Sequence, residues 1–115
     1  MLITPIRLDL EVTHLALAGR LDAGGMQGQD VKFTGYISGR RKPALVDMSQ
    51  VEFIGSLGVG LLVSNAKALR SHGTTLVLVN PSGPVDKVLR STGIDQIIPI
   101  VHTLEEGLRL LAATA

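Results

Sequence analysis

The 115-residue sequence contains no cysteine and no tryptophan, and aromatic side chains make up only 3% of it. Without cysteine there is neither a disulfide framework nor a thiol nucleophile, which fits a reducing compartment. With so few aromatics there is no platform on which nucleobases could stack. An excess of one charge is also missing. The formal net charge is +1 with the two signs interspersed, so there is no electrostatic footprint for nucleic acid or anionic lipid. No apolar run approaches the ~18 residues that a membrane span requires. Met1-Leu2-Ile3-Thr4-Pro5 lacks the basic-then-apolar order of a signal peptide. These absences predict a soluble cytoplasmic protein with no direct nucleic-acid contact and no membrane insertion.

What is present is enough for one core. Hydrophobic residues are 45% and charged residues 18% of the chain, a composition that argues against disorder. The length predicts one domain over residues 1–115.

Ile6, Leu8 and Leu10 alternate with Arg7, Asp9 and Glu11, the period of a half-buried strand. A second alternation at Leu15, Leu17, Gly19 and Leu21 follows a break near Val12-Thr13, so the chain opens as a hairpin. Asp22 is placed to cap a helix whose buried stripe would be Met26, Val31, Phe33, Tyr36 and Ile37. Gly24, Gly25, Gly28, Gly35 and Gly39 weaken that helix by ~0.5–1 kcal/mol each against alanine, so it is expected to be frayed or interrupted. The short basic run Arg40-Arg41-Lys42 before Pro43 reads as a solvated loop. Ala44-Leu45-Val46 reads as a central strand buried on both faces, ending at Asp47.

A polar connection then leads to the clearest helix, residues 56–72. Leu57, Leu61, Leu62, Ala68 and Leu69 would line its inner face, with Ser64, Lys67, Arg70 and Ser71 outward. Gly73 is a left-handed stop. Thr74 to Val79 is another buried strand. Pro84 opens a helix carrying Val85, Val88 and Leu89, which stops at Gly93. Ile97 to Val101 is a short strand kept at the sheet edge by Pro99. Thr103 and Glu106 form a capping box for a last helix with Leu104, Leu108 and Leu111 inside. The order β-β-α-β-α-β-α-β-α gives an α/β fold, a mixed sheet flanked by helices.

The stretch Asp47-Met48-Ser49-Gln50-Val51-Glu52-Phe53-Ile54-Gly55-Ser56-Leu57-Gly58-Val59-Gly60-Leu61-Leu62 is where chemistry or contact would concentrate, because open α/β sheets collect function at strand ends and the helix starts that follow. Enzyme patterns fail there on residue type. The lysine of a phosphate-binding loop is missing, the glycines are spaced wrongly for a dinucleotide fingerprint, and a nucleophile elbow would need glycine at Ile54. His14, His72 and His102 have no metal-ligand or triad spacing. No cofactor, no metal and no catalytic residue are expected. Ser56 has two readings: a helix N-cap contributing about 1 kcal/mol, or a hydroxyl whose phosphorylation would add about −1.5 to −2 charges at a helix start. Gly58 and Gly60 fit either close packing of helix on sheet or close approach by another protein. Asp47 fits a turn-stabilising carboxylate, or a group shaping the site around Ser56.

This stretch resembles the signature of STAS domains, the fold of sulfate-transporter C-termini and bacterial anti-sigma factor antagonists. Leu21-Asp22 before the first helix, the Thr74-to-Asn80 strand followed by Pro81, and the Val85-Val88-Leu89 helix ending near Gly93-Ile94 extend the likeness over nearly the whole chain. The resemblance implies a non-enzymatic bacterial transcription regulator. Such a protein binds an anti-sigma factor that is also a serine kinase, is released when that kinase phosphorylates it, and is reset by a serine phosphatase. Ser56 matches the phosphorylated serine, Gly58 and Gly60 the two glycines, and Asp47 the strand-end aspartate. The implied contact surface is Asp47, Gly55, Ser56, Leu57, Gly58, Val59 and Gly60. Two positions depart: an acidic residue is replaced by Gly55 and a hydroxyl residue by Leu57. The alternative within the same fold is a STAS subunit of a lipid-transport ATPase complex or of a multi-protein sensory complex, acting by docking alone.

Overall fold

The computed structural model describes residues 1–114. The strands are β1 (Leu2–Leu8), β2 (Thr13–Leu21), β3 (Ala44–Ile54), β4 (Leu76–Val79) and β5 (Ile100–Val101). They form one sheet in chain order, β1 antiparallel to β2 and the rest parallel. The helices are α1 (Gln29–Ile37), α2 (Ser56–Ser71), α3 (Gly83–Ser91) and α4 (Leu104–Thr114), with a single 3-10 turn at Ile94–Gln96. The α/β architecture with a mixed sheet is the one its residue pattern predicts.

Alternation along the strands divides the interior into two cores. Leu15, Leu17, Val46, Met48, Leu76 and Leu78 meet α1, α2 and α3 on one face. Leu45, Val77 and Val79 meet Leu111 of α4 on the other. β4 therefore reads as a continuous apolar run, since both its faces are covered.

Several elements depart from the sequence-based expectation, each for a physical reason. In β1 it is Ile3 that is buried, while Ile6, Leu8 and Leu10 are exposed, Leu10 to 86%. Period two from the buried Ile3 sets the even-numbered positions on the opposite face, and the register slip between Pro5 and Arg7 then breaks the alternation, so Ile6, Leu8 and Leu10 form no single buried stripe. Leu10 has by then left the strand for the hairpin turn. Asp22 does not cap α1. Its Oδ1 accepts the Gly25 N–H at 2.8 Å and starts a turn over residues 22–28, and α1 begins only after Gly28. Val31 is 76% exposed because it lies about 200° around the helix from Phe33, at 100° per residue. Phe33 and Ile37 carry the buried stripe.

β3 does not end at Asp47; it runs on to Ile54. Its buried residues Met48, Val51 and Ile54 are three apart, which no regular strand can bring to one face. Two register shifts against β2 supply the missing residues: Ala16 faces Asp47 but Ala18 faces Gln50, and Gly19 faces Val51 but Arg20 faces Phe53. Each bulge inserts one extra residue and returns the next apolar side chain to the core. β5 is shorter than expected because the chain is still turning at Ile97 and Ile98, whose N–H groups both donate to the Ile94 carbonyl at 2.8 Å, and it pairs with β4 only from Ile100.

Arg40 is not a solvated loop residue. Its Nε donates to Thr13 Oγ1 at 2.8 Å and its Nη2 donates to the carbonyls of Val12, at 3.2 Å, and of Asp9. It thereby ties the end of α1 to the β1–β2 hairpin.

Two helices seat on the sheet through a glycine, and this rotates their apolar stripes. A Cβ on Gly107 would come within 2.7 Å of Leu45 Cδ2. α4 thus packs through Gly107 and Leu111, and Leu104 and Leu108 turn outward. The Thr103 cap forms as its sequence predicts, with the Glu106 N–H donating to Thr103 Oγ1 at 3.1 Å, while the Glu106 carboxylate accepts from the Thr103 hydroxyl at 3.2 Å. A Cβ on Gly58 would lie 2.4 Å from the Leu21 carbonyl oxygen, 2.8 Å from Leu21 Cβ and 3.0 Å from Ile54 Cγ1. α2 therefore buries Gly58, Leu62, Asn65, Ala66 and Leu69. Leu57 is left 58% exposed, and Leu61 and Ala68 are only half-buried.

Replacing Gly58 with alanine is expected to cost about 1–3 kcal/mol from overpacking against backbone. Gly60→Ala, whose Cβ would meet nothing within 4 Å, should stabilise the protein by about 0.5–1 kcal/mol through helix propensity. Urea unfolding of the two variants measures the contrast; equal stabilities would contradict the packing. A second expectation concerns His14 of β2, which is only 8% exposed. Burial holds its imidazole pKa below 6.5, with Arg7 adding to the effect and Asp47 opposing it. The folded state therefore favours neutral His14. Its stability contribution is complete above pH 6.5 and declines as pH falls through that value. The urea midpoint should drop between pH 7 and pH 5, and His14→Gln should flatten the drop; an unchanged slope would refute the assignment.

Candidate functional site

The end of β3 delivers the chain to α2 through one residue. Gly55 is extended, with φ −106° and ψ −175°. Its N–H donates to the Leu21 carbonyl at 3.0 Å, and its own carbonyl accepts the Val59 N–H at 3.0 Å. Gly55, not Ser56, is thus the N-cap of α2, and no side chain caps this helix. The capping role open to Ser56 in the sequence is not taken. Its hydroxyl stands exposed on the first helical residue and forms no hydrogen bond among the described residues.

Ser56 lies on the wall of a groove of about 470 Å³ between the 22–28 turn and α2, lined by Met26, Gln27, Asp30, Leu57 and Leu61 among others. Met26 is buried and gives the groove an apolar floor. Gln27 and Asp30 are exposed, and among the described residues Asp30 forms no ion pair.

The two helices that flank the groove are held together by Asn65, a residue the apolar pattern does not reveal. Asn65 is 1% exposed. Ser38 Oγ donates to Asn65 Oδ1 at 2.5 Å, and Asn65 Nδ2 donates to Thr34 Oγ1 at 3.2 Å and to the Leu61 carbonyl at 2.9 Å. Such a satisfied buried amide fixes the spacing of α1 and α2. The signal for it was its place in the Gly58, Leu62, Asn65, Leu69 stripe once Gly58 is recognised as an inward position.

The other expected contact residues divide. Leu57 and Gly60 join Ser56 along the groove. Gly58 faces inward onto Leu21, and Val59 is partly buried against the same core. Asp47 is not brought to Ser56. It lies about 20 Å up β3 at ~3.3 Å per residue, on the sheet face shared with Leu45 and α4 rather than with the groove. Its Oδ1 accepts the Ser49 N–H at 2.8 Å within the first bulge, which is the turn-stabilising role open to it in the sequence.

Beside Gly55 sits an ion pair. Arg20 Nε and Nη2 both donate to Asp22 Oδ2 at 2.8 Å, and the guanidinium carbon lies 4.4 Å from the centroid of the Phe53 ring. The Gly25 N–H and then Arg20 hold the Asp22 carboxyl below its usual range. Among the described residues, no three His, Asp or Glu side chains gather in a metal-holding cluster.

Known proteins share this fold. A Thermotoga neapolitana protein described as a candidate anti-sigma factor antagonist is 38% identical over 64 residues, 56% of this chain and 57% of that protein. This chain therefore spans little more than half the length of that curated relative. A crystal structure of a candidate anti-sigma factor antagonist from Thermotoga maritima superposes with a TM-score of 0.83 at 25% identity, covering 94% of this chain and 93% of that one. A STAS domain anti-sigma factor antagonist protein from Planctomyces limnophilus gives 0.82 at 25% identity over 96% and 97% of the two chains. Residues 6–107, from the end of β1 into α4, match the STAS domain, and the chain belongs to the STAS domain family.

Proposed function

We propose that this protein is an anti-sigma factor antagonist: a non-enzymatic regulator that binds an anti-sigma factor kinase and is released when that kinase phosphorylates Ser56. The observation that carries the reading is the Ser56 hydroxyl itself. It is exposed, at the first residue of a helix and on the wall of a groove. A kinase can reach such a group without unfolding any part of the protein.

The likeness to anti-sigma factor antagonists supports the partner class. Leu57 supports docking, since a leucine exposed beside Ser56 offers apolar area that only a partner would cover. A phosphate on Ser56 would be tolerated by the free chain, where helix N–H groups and water solvate it. Within an apolar interface it would lose that water, and a buried unpaired charge is costly. Release then follows from desolvation, with no change of fold. Gly55 and Leu57 tune which kinase recognises the stretch. In the cytoplasm a serine phosphatase would return the protein to its binding state.

Incubation with candidate anti-sigma kinases and ATP should place a single phosphate on Ser56, read by mass spectrometry of the peptide that contains it. Ser56→Asp should bind the same kinase at least ~10-fold more weakly, the scale of a charge buried at an interface. Equal binding of variant and wild type would end the switch mechanism.

A further inference from the structure

The charge pattern around Ser56 goes one step beyond a site of modification. Arg20 and Phe53 are register partners across β2 and β3, so the guanidinium is held over the ring next to the β3–α2 connection. Asp22, its ion-pair partner, has its Cβ 3.6 Å from where a side chain on Gly55 would begin, and Phe53 Cε2 is 3.5 Å from the same point. Residue 55 therefore stands directly against both groups that touch Arg20. A glycine there sets no side chain against the ion pair, one residue before Ser56. The acidic side chain that the family pattern leads one to expect at this position would have brought a second carboxylate to the same guanidinium. Here one carboxylate faces one cation, and the arginine side chain is 56% exposed and able to re-aim.

We infer that Arg20 is a receptor within the chain for the phosphate on Ser56, exchanging Asp22 for the phosphate when the serine is modified. This rests on the reading of Ser56 as a phosphorylated residue. A phosphoserine carries about −1.5 to −2 charges and three strong acceptor oxygens. The planar fork of an arginine matches two of those oxygens, so the dianion outcompetes a monoanionic carboxylate. Asp22 keeps the Gly25 N–H, and the turn that floors the groove does not depend on the lost ion pair. As Arg20 leaves Phe53, the ring face it covers is uncovered next to Gly55. The modified protein thus differs from the unmodified one in the apolar surface it presents as well as in charge.

The test uses full-length protein with phosphoserine installed at position 56 during translation, so that no kinase is involved. A phosphorus NMR titration reads the second phosphate pKa, ordinarily ~6. It should lie about 0.5–1 unit lower than in the same phosphoprotein carrying Arg20→Gln, the shift of a partly exposed opposite charge. Gly55→Asp, which restores a competing carboxylate, should raise it in the same direction. The Arg20 Nε–H resonance should move on phosphorylation, where a purely structural arginine would stay in place. Equal phosphate pKa values with and without Arg20 would overturn the exchange and leave the antagonist reading untouched. Failure of any kinase to modify Ser56 would overturn that reading and leave the titration standing.

Discussion

The contact on which the site depends is the approach of Gly58 to the carbonyl of Leu21. No other residue type fits, because a Cβ would sit 2.4 Å from that oxygen. The same carbonyl accepts the N–H of Gly55 at 3.0 Å. The last residue of β2 therefore clamps the connection and the first turn of α2 together. Once the helix is seated there, its rotation is fixed. Leu62, Asn65 and Leu69 go in, Leu57 goes out, and Ser56 is left at the rim with its hydroxyl exposed.

A glycine-seated helix has consequences for the rest of the molecule. Close approach of a glycine to the sheet shifts the buried stripe onto the glycine's own side, so leucines beside that stripe turn outward. α4 repeats this with Gly107, whose contact with Leu45 puts Leu104 and Leu108 on the surface. In α2 the exposed leucine adjoins the serine and the groove, where apolar area has a use. In both helices the outward leucines follow from the seat, and they are not packing failures.

The electrostatics near Ser56 are as local as the packing. Asp9 and Arg7 illustrate the contrast at the far end of the sheet. There an exposed pair, backed by the N–H groups of Glu11 and Val12, holds the Asp9 carboxyl down at about 2 and shapes the hairpin. Arg20 and Asp22 make a similar exposed pair, and such pairs contribute little stability. Its place against Gly55 gives this pair its interest. Membership of the STAS family accounts for the fold around it.

The order of elements, the mixed sheet, the α2 and α3 helices, the Gly73 and Gly93 stops and the Thr103 cap were all legible in the chain, because each is set by neighbours within a few residues. So was the stretch that carries Ser56. What the residues could not reveal is how the pieces rotate and slip. The two bulges that extend β3 past Asp47, and the one in β1 between Pro5 and Arg7, exist only relative to a partner strand. The inward faces of Gly58, Gly107 and Asn65 exist only once a sheet or a second helix is opposite them. Local propensity decides what an element is; contact with its neighbours decides which side of it is the inside, and at Ser56 the seating of the helix leaves the hydroxyl exposed in place of a capping role.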